Sequence, residues 1–401
     1  MKRRRGRGKR NYRRRSNSLR ASNWGPVLAL LGTVLGVLGL VALIVFVGLP
    51  KLLPLVGIDY TAPFAPTPTP APTPRPTPTP NPMDLFDASA AVTEVVFDAA
   101  SDYKWFSDPY FYHGDLVLAA GKLVDSKAVM LDLYLYHPES RSAEKFNLSL
   151  TNTHFLFPKF NDKWLVYLDA NADGGGLLTV VDRTDASARP VVIKEIYTGQ
   201  PEPMLDGDYV AWTERTGTRM DKLFLCDLNT LETVTVHMFS NNPYGQSLPS
   251  LRDGLLVWAD AESSGSADSD DRSVIYQAEF NSSGKFTTYS PGGYVHDPQS
   301  NGIYTAWLDD PHGPDTNLYF QKNGGTPALI ASGVVQFGLG QDFVAFSKEE
   351  AIWLYRFDNQ KTYQLSGTYE KAMFLGVSDN RVIWMDVTSR ERDIIKFSQV
   401  P

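Results

Sequence analysis

Gly207-Asp208-Tyr209-Val210-Ala211-Trp212 is a turn pair followed by a short β-prone run that closes on a large aromatic. The same order returns as Asp253-Gly254-Leu255-Leu256-Val257-Trp258, and as Asn301-Gly302-Ile303-Tyr304-Thr305-Ala306-Trp307 with one extra residue. Residues 162–167, 341–346 and 379–384 follow it, and Gly114-Asp115-Leu116-Val117-Leu118-Ala119 begins the series. The closing positions are Ala119, Tyr167, Trp212, Trp258, Trp307, Phe346 and Trp384, spaced 48, 45, 46, 49, 39 and 38 residues apart. A period of this size marks a repeated supersecondary unit that cannot bury its apolar face alone.

Each repeat shares further features. A Pro stands upstream in five of them, at Pro109, Pro158, Pro203, Pro249 and Pro298. After the anchor strand and a loop comes a second β-rich run, at 129–136, 177–181, 223–226, 274–277, 318–320, 352–357 and 394–397, and then a last short strand. Nothing long after residue 83 carries helical periodicity. The sequence therefore predicts an all-β chain folded as a β-propeller of seven four-stranded blades. Six or eight blades, a β-sandwich array and a β-solenoid are the alternatives. The last repeat has room for only about three strands before Pro401, so residues 93–97 are expected to supply the fourth and close the ring.

On the upstream Pro, the Asp206-Gly207 and Asp253-Gly254 turns and the aromatic strand ends, residues 93–401 resemble the TolB-like propellers. The resemblance implies the fold and a cell-envelope setting. The Ser-Pro-Asp-Gly form of the motif is absent, and TolB itself is a soluble periplasmic protein, so its role is not carried over.

What precedes the repeats reads as an anchor and a spacer. Residues 1–26 form a basic arm with eleven Lys and Arg between Lys2 and Arg20 and no acid. Residues 27–49 are 23 apolar residues with one Thr, about 35 Å of helix, enough to cross a bilayer core. The positive-inside bias places the arm in the cytoplasm and everything after Lys51 outside, and an outer domain without disulfides fits a bacterial cell membrane. A cleaved signal peptide would be shorter and end on small residues. Gly32 and Gly36 have the spacing through which two such helices associate. Residues 50–82 are a linker in which ten of the last 21 residues are Pro, so that part is an extended polyproline rod. Residues 83–401 are the propeller domain.

Charge follows the same division. Residues 51–401 hold 27 basic and 45 acidic side chains, a net −18 that disfavours nucleic acid as an external partner. The single Cys226 excludes an intramolecular disulfide. No nucleophile elbow, phosphate loop, H-E-x-x-H or Cys pair appears. Two groups of residues remain as candidate sites. Asp169-Ala170-Asn171-Ala172-Asp173-Gly174 fits the start of a calcium loop, with Asp169, Asn171 and Asp173 as ligands. Val180 stands where the twelfth-position acid belongs, and the competing reading is an Asn/Asp/Gly turn. Ca2+ is the only cofactor considered. At the propeller mouth, Asp108, His154, Glu202, His296 and Asp297 fall near the starts of innermost strands. His312 lies in a loop on the same face, with 169–176, 260–271 and 309–315.

The expected function is a non-catalytic binding or scaffold module for an envelope protein or glycan, held to the membrane by one helix and monomeric. The competing expectation is a propeller hydrolase or lyase acting on cell-wall or extracellular glycan, with His154, His296 and nearby carboxylates as acid, base or metal ligands. The two differ in whether those side chains converge.

Overall fold

The computed structural model describes residues 92–96, 103–215, 221–239, 247–261, 273–280, 286–289, 293–309 and 316–401, with seven positions between 35 and 44. The chain divides into two units, Met1–Thr79 and Pro80–Pro401. In the first unit Leu35, Val37, Leu38, Leu40, Val41, Leu43 and Ile44 are helical and 50–63 % exposed. Among the described residues no helix is long and apolar enough to cross a membrane. The rest of the 27–49 span, the 1–26 arm and the 50–82 linker lie outside the described residues.

The second unit contains seven antiparallel four-stranded sheets. The first strands of consecutive sheets touch in a closed cycle and line an axis. They run Trp105–Tyr112, His154–Phe160, Met204–Asp206, Ser250–Arg252, Val295–Ser300, Gln336–Leu339 and Ala372–Ser378. The repeated anchor is the second strand of every blade, for example Tyr209–Arg215 and Leu255–Ala261. A turn of two residues (blades 1, 3, 4 and 7) or three (blades 2, 5 and 6) joins the first strand to the second. His113-Gly114, Asp253-Gly254 and Asp379-Asn380 have positive φ at both positions, the twist that suits a tight hairpin.

Alternation along the second strand explains the motif. Val210 and Trp212 meet the sheet of blade 2 in one buried cluster with Val166, Leu168 and Leu178. Ala211, between them, meets blade 4 with Leu251, Leu256 and Trp258. Each described apolar cluster joins two adjacent blades, and together the clusters complete the ring. The closing aromatic is always directed at the preceding blade. Cross-strand partners add to it: Trp258 stacks on Tyr276 at 5.5 Å and Trp212 on Phe224 at 5.4 Å. In blade 1 the sequence reading needs a correction of one residue. Asp115 pairs with Tyr112 as Tyr209 pairs with Asp206, so Leu118, not Ala119, is the equivalent of Trp212. Leu118 is fully buried against blade 7.

Blade 7 takes its outer strand from the start of the domain. Val92–Glu94 pairs antiparallel with Ile394–Gln399, with Thr93 opposite Phe397 and Glu94 opposite Lys396. The strand begins one residue earlier than expected, and residues 97–100 lie outside the described residues. Lys396 Nζ lies 3.0 Å from Glu370, 2.9 Å from Asp386 and 3.8 Å from Glu94, which ties the closing strand to its own blade. Val92 packs on the cluster between blades 6 and 7. Removing residues 1–96 should therefore lower the melting temperature by roughly 5–10 °C, the loss of one short paired strand in a domain this large. A melt that is unchanged would show that the closure contributes nothing.

Candidate functional site

Polar side chains collect at the axis because inner strands have a free edge there. Three of these strands share a bulge, between Ser107 and Tyr110, Leu156 and Lys159, and His296 and Gln299. At each, the residue before Pro has positive φ: Asp108 at 50°, Phe157 at 52° and Asp297 at 52°. Such a conformation costs about 1–3 kcal/mol per residue and persists only where neighbours enforce it. Here the neighbours are adjacent blades. Phe157 N donates to Asp108 Oδ2 at 3.0 Å. Leu248 N donates to Asp297 Oδ1 at 2.6 Å, and Asp297 N donates to Ser247 Oγ at 2.9 Å.

A charged group follows from this arrangement. Lys159 Nζ pairs with Glu202 at 2.7 Å and lies 5.0 Å from the ring centre of Tyr110. Burial alone would lower the Lys159 pKa, but Glu202, Tyr110 and Asp108 hold it above its ordinary value. Burial raises the Asp108 carboxyl and Glu202 adds to the rise, against the Phe157 amide, the Ser107 hydroxyl and Lys159. Tyr110 is raised by burial, and it senses Lys159, Asp206, Arg252 and Asp379 from four other blades, which places it on the axis. The lysine side chain is 14 % exposed and Glu202 is 52 % exposed, so the pair is reached from the Glu202 end.

At the opposite end, the last residue of each inner strand or the first residue of the turn after it bonds to another blade. Asp206 Oδ2 accepts from Gly254 N at 2.6 Å, and Asn161 Nδ2 donates to Gly207 O at 2.7 Å. Asn301 Nδ2 donates to Gly340 O and Gln341 O, both at 2.8 Å. Tyr112 donates to Asp162, and Ser378 Oγ accepts from Phe111 N. Arg252 of blade 4 reaches past blade 5 to Leu339 O at 2.7 Å. The sequence reading used Asp206 and Asn301 as turn markers and proposed none of these residues as a site. The available signal was a polar residue three positions before the second strand of most blades.

Of the residues proposed from sequence, Asp108 and Glu202 are brought together around Lys159. His296 and Asp297 pair on blade 5 at 3.1 Å. His154 opens the inner strand of blade 2; burial lowers its pKa against the pull of Asp169, and it bonds to none of the others. His312 lies outside the described residues. The Asp169 carboxylate accepts from Thr151 N at 2.7 Å and Asn152 N at 3.0 Å. Asn171 and Asp173 are exposed in a turn closed by Asn171 N donating to Gly175 O. Among the described residues no three His, Cys, Asp or Glu side chains gather as a metal ion requires.

No protein-family profile and no curated protein matches the sequence. Solved structures do. The β-propeller domain of the trilobed protease from Pyrococcus furiosus superposes with a TM-score of 0.55 at 14 % identity, over 74 % of this chain and 93 % of that one. An oligogalacturonate lyase from Vibrio parahaemolyticus gives 0.52 at 11 % identity, over 77 % and 93 %. An acylaminoacyl peptidase from Pyrococcus horikoshii gives 0.52 at 12 %, over 76 % of this chain and 53 % of that one, so this chain spans about half its length. TolB from Acinetobacter baumannii aligns at 0.40 with 13 % identity, too loosely to bear on the argument. These likenesses establish the seven-bladed fold and nothing about activity.

The raised Asp108 carboxyl has a testable sign. Its folded-state pKa exceeds the unfolded value, so its penalty is absent below the unfolded pKa and grows as pH rises through the folded one. Asp108→Asn keeps an acceptor for Phe157 N and tolerates positive φ. Its melting temperature should exceed that of the parent at about pH 7 and match it near about pH 3.5. Asp108→Ala, which leaves the Phe157 amide unpaired, should melt lower at both. Equal behaviour of the two variants would rule out the inter-blade role.

Proposed function

We propose that this protein is a membrane-anchored, extracytoplasmic propeller that acts as a non-catalytic binding or scaffold module in the bacterial cell envelope. One observation supports the non-catalytic reading: His154 and the His296–Asp297 pair do not converge on one point. His154 and His296 sit on blades 2 and 5 without a shared partner, and Asp108 and Asp297 have carboxylate oxygens occupied by backbone amides of neighbouring blades. The side chains at the axis hold a rigid ring whose other end presents loops. The basic arm, the apolar 27–49 segment and the Pro-rich linker support the anchored, outward-facing placement.

A glycan hydrolase or lyase is the second reading, and the group of Tyr110, Lys159 and Glu202 favours it, with Asp108 behind. A lysine beside a carboxylate and a phenol on a propeller axis has the groups needed to take and return a proton. One assay separates the two. The purified chain, incubated with envelope polysaccharide fractions, should retain ligand and release no new reducing or unsaturated ends. Product formation abolished by Glu202→Gln would replace the binding reading with the catalytic one. Placement is tested separately: protease added to intact protoplasts should remove the propeller and leave the basic arm protected. A propeller protected under those conditions would put it on the cytoplasmic side.

A further inference from the structure

A second feature lies where blade 7 meets blade 1, beside the start of the blade 1 inner strand. A cleft of about 580 Å³ is lined by Lys104, Trp105, Lys122, Leu123, Arg390 and Glu391. That volume suits a small organic ligand rather than a single ion. We propose that this cleft binds an acidic oligosaccharide, with carboxylate or phosphate groups on sugar rings.

The fold builds the cleft from both sides. The second and third strands of blade 1, Asp115–Val124 and Lys127–His137, have 10 and 11 residues, whereas the other blades use six or seven. At about 3.3 Å per residue the extra three carry this hairpin about 10 Å further. Lys122 and Leu123 lie in the extension. It starts at a bulge between Ala120 and Gly121, where a Cβ on Gly121 would stand 2.0 Å from Val129 O. The facing wall, residues 387–393 of blade 7, is pinned at both ends. Val387 N donates to Lys371 O at 2.9 Å, and Asp393 N donates to Lys104 O at 3.0 Å. Phe106 N returns a bond to the Asp393 carboxylate at 3.3 Å. Arg390 and Glu391 are thus held opposite the hairpin.

The charges are unusual for this chain. Lys104, Lys122 and Arg390 are exposed, and among the described residues no carboxylate pairs with any of them. Lys145 and Lys159, by contrast, each hold one, and Lys396 holds three. Among the described residues, Glu391 lines the cleft, Asp393 accepts from the Phe106 amide, and Asp132 is occupied by Lys145 and Tyr103. The described lining thus holds three cations and one acid in a region of net −18. Trp105, half-buried and packed on the cluster between blades 1 and 2, borders the cleft together with Leu123. Cations beside apolar side chains fit a ligand that is anionic at its edges and presents C–H faces, as a charged sugar does.

This deepens the binding reading by naming a site and a ligand class, and it does not depend on the anchor. The test is calorimetric titration of the full chain with a tetragalacturonate, with a neutral galactose oligomer of equal length, and with tripolyphosphate. The tetragalacturonate should bind one site and the neutral oligomer should not. Lys122→Glu and Arg390→Glu should each weaken binding at least about tenfold, the loss expected for a charge-assisted contact. Arg189→Glu, the same charge change on an exposed residue of blade 2, should leave it unaltered, and all three variants should melt like the parent. Trp105→Leu should weaken the uronate and leave any tripolyphosphate binding as it was. Uronate binding untouched by Lys122→Glu and Arg390→Glu would overturn the cleft and leave the binding reading standing. Equal binding of tripolyphosphate and uronate would reduce the cleft to a charge effect, and no binding of the uronate would reject the ligand class.

Discussion

Each blade buries one face on the blade before it and the other on the blade after it, so no blade possesses a core of its own. The closing position of the second strand carries most of this contact. Trp212, Trp258, Trp307 and Trp384 are at most 2 % exposed, and each lies in a cluster shared with the preceding blade. Truncating one such indole would cost about 3–5 kcal/mol, a sizeable part of any domain's stability. Only a closed ring satisfies all seven faces. An open array would leave the outer faces of its first and last blades in water, which is why the strand at Val92–Glu94 and its Lys396 cluster matter.

The ring also decides what the axis can do. Inner strands have no neighbour on their axial edge, so their polar groups must bond across blades or to a ligand. Here most bond across blades. Asp108 and Asp297 satisfy amides next door from strained backbone positions, and the turn residues from Tyr112 round to Ser378 link the opposite end. Arg252 reaches two blades away. An axis used so fully for stitching is stiff, and a stiff ring suits the display of loops on the other face. Lys159 and Glu202 combine charge, mutual contact and access.

Two surfaces therefore have different origins. The axial group arises because the fold gathers inner strands, and its polarity is mostly structural. The cleft between blades 7 and 1 arises because one hairpin departs from the repeat, at the seam where the chain closes. A repeat departs from its own pattern at little cost where the extra residues project beyond the sheets, so departures collect there.

The architecture was legible in the sequence because packing repeats at a similar spacing: seven turn-and-strand strings, six of them closing on an aromatic, reveal seven second strands, and a short last repeat reveals an exchanged outer strand. The misreading of Ala119 for Leu118 came from a blade whose closing residue is aliphatic, so only strand pairing sets its alignment. Sequence also brought Asp108 and Glu202 to the axis, because a Pro marks each place. It did not show that an amide occupies the Asp108 carboxylate while a lysine leaves Glu202 half open. Nor could it place Lys104, Lys122 and Arg390 in one cleft. Those three lie up to 286 residues apart and on opposite sides of the closing seam. Local pattern fixes which face of a strand is buried; which side chains meet across a closed ring depends on the last contact formed, and only the tertiary structure records it.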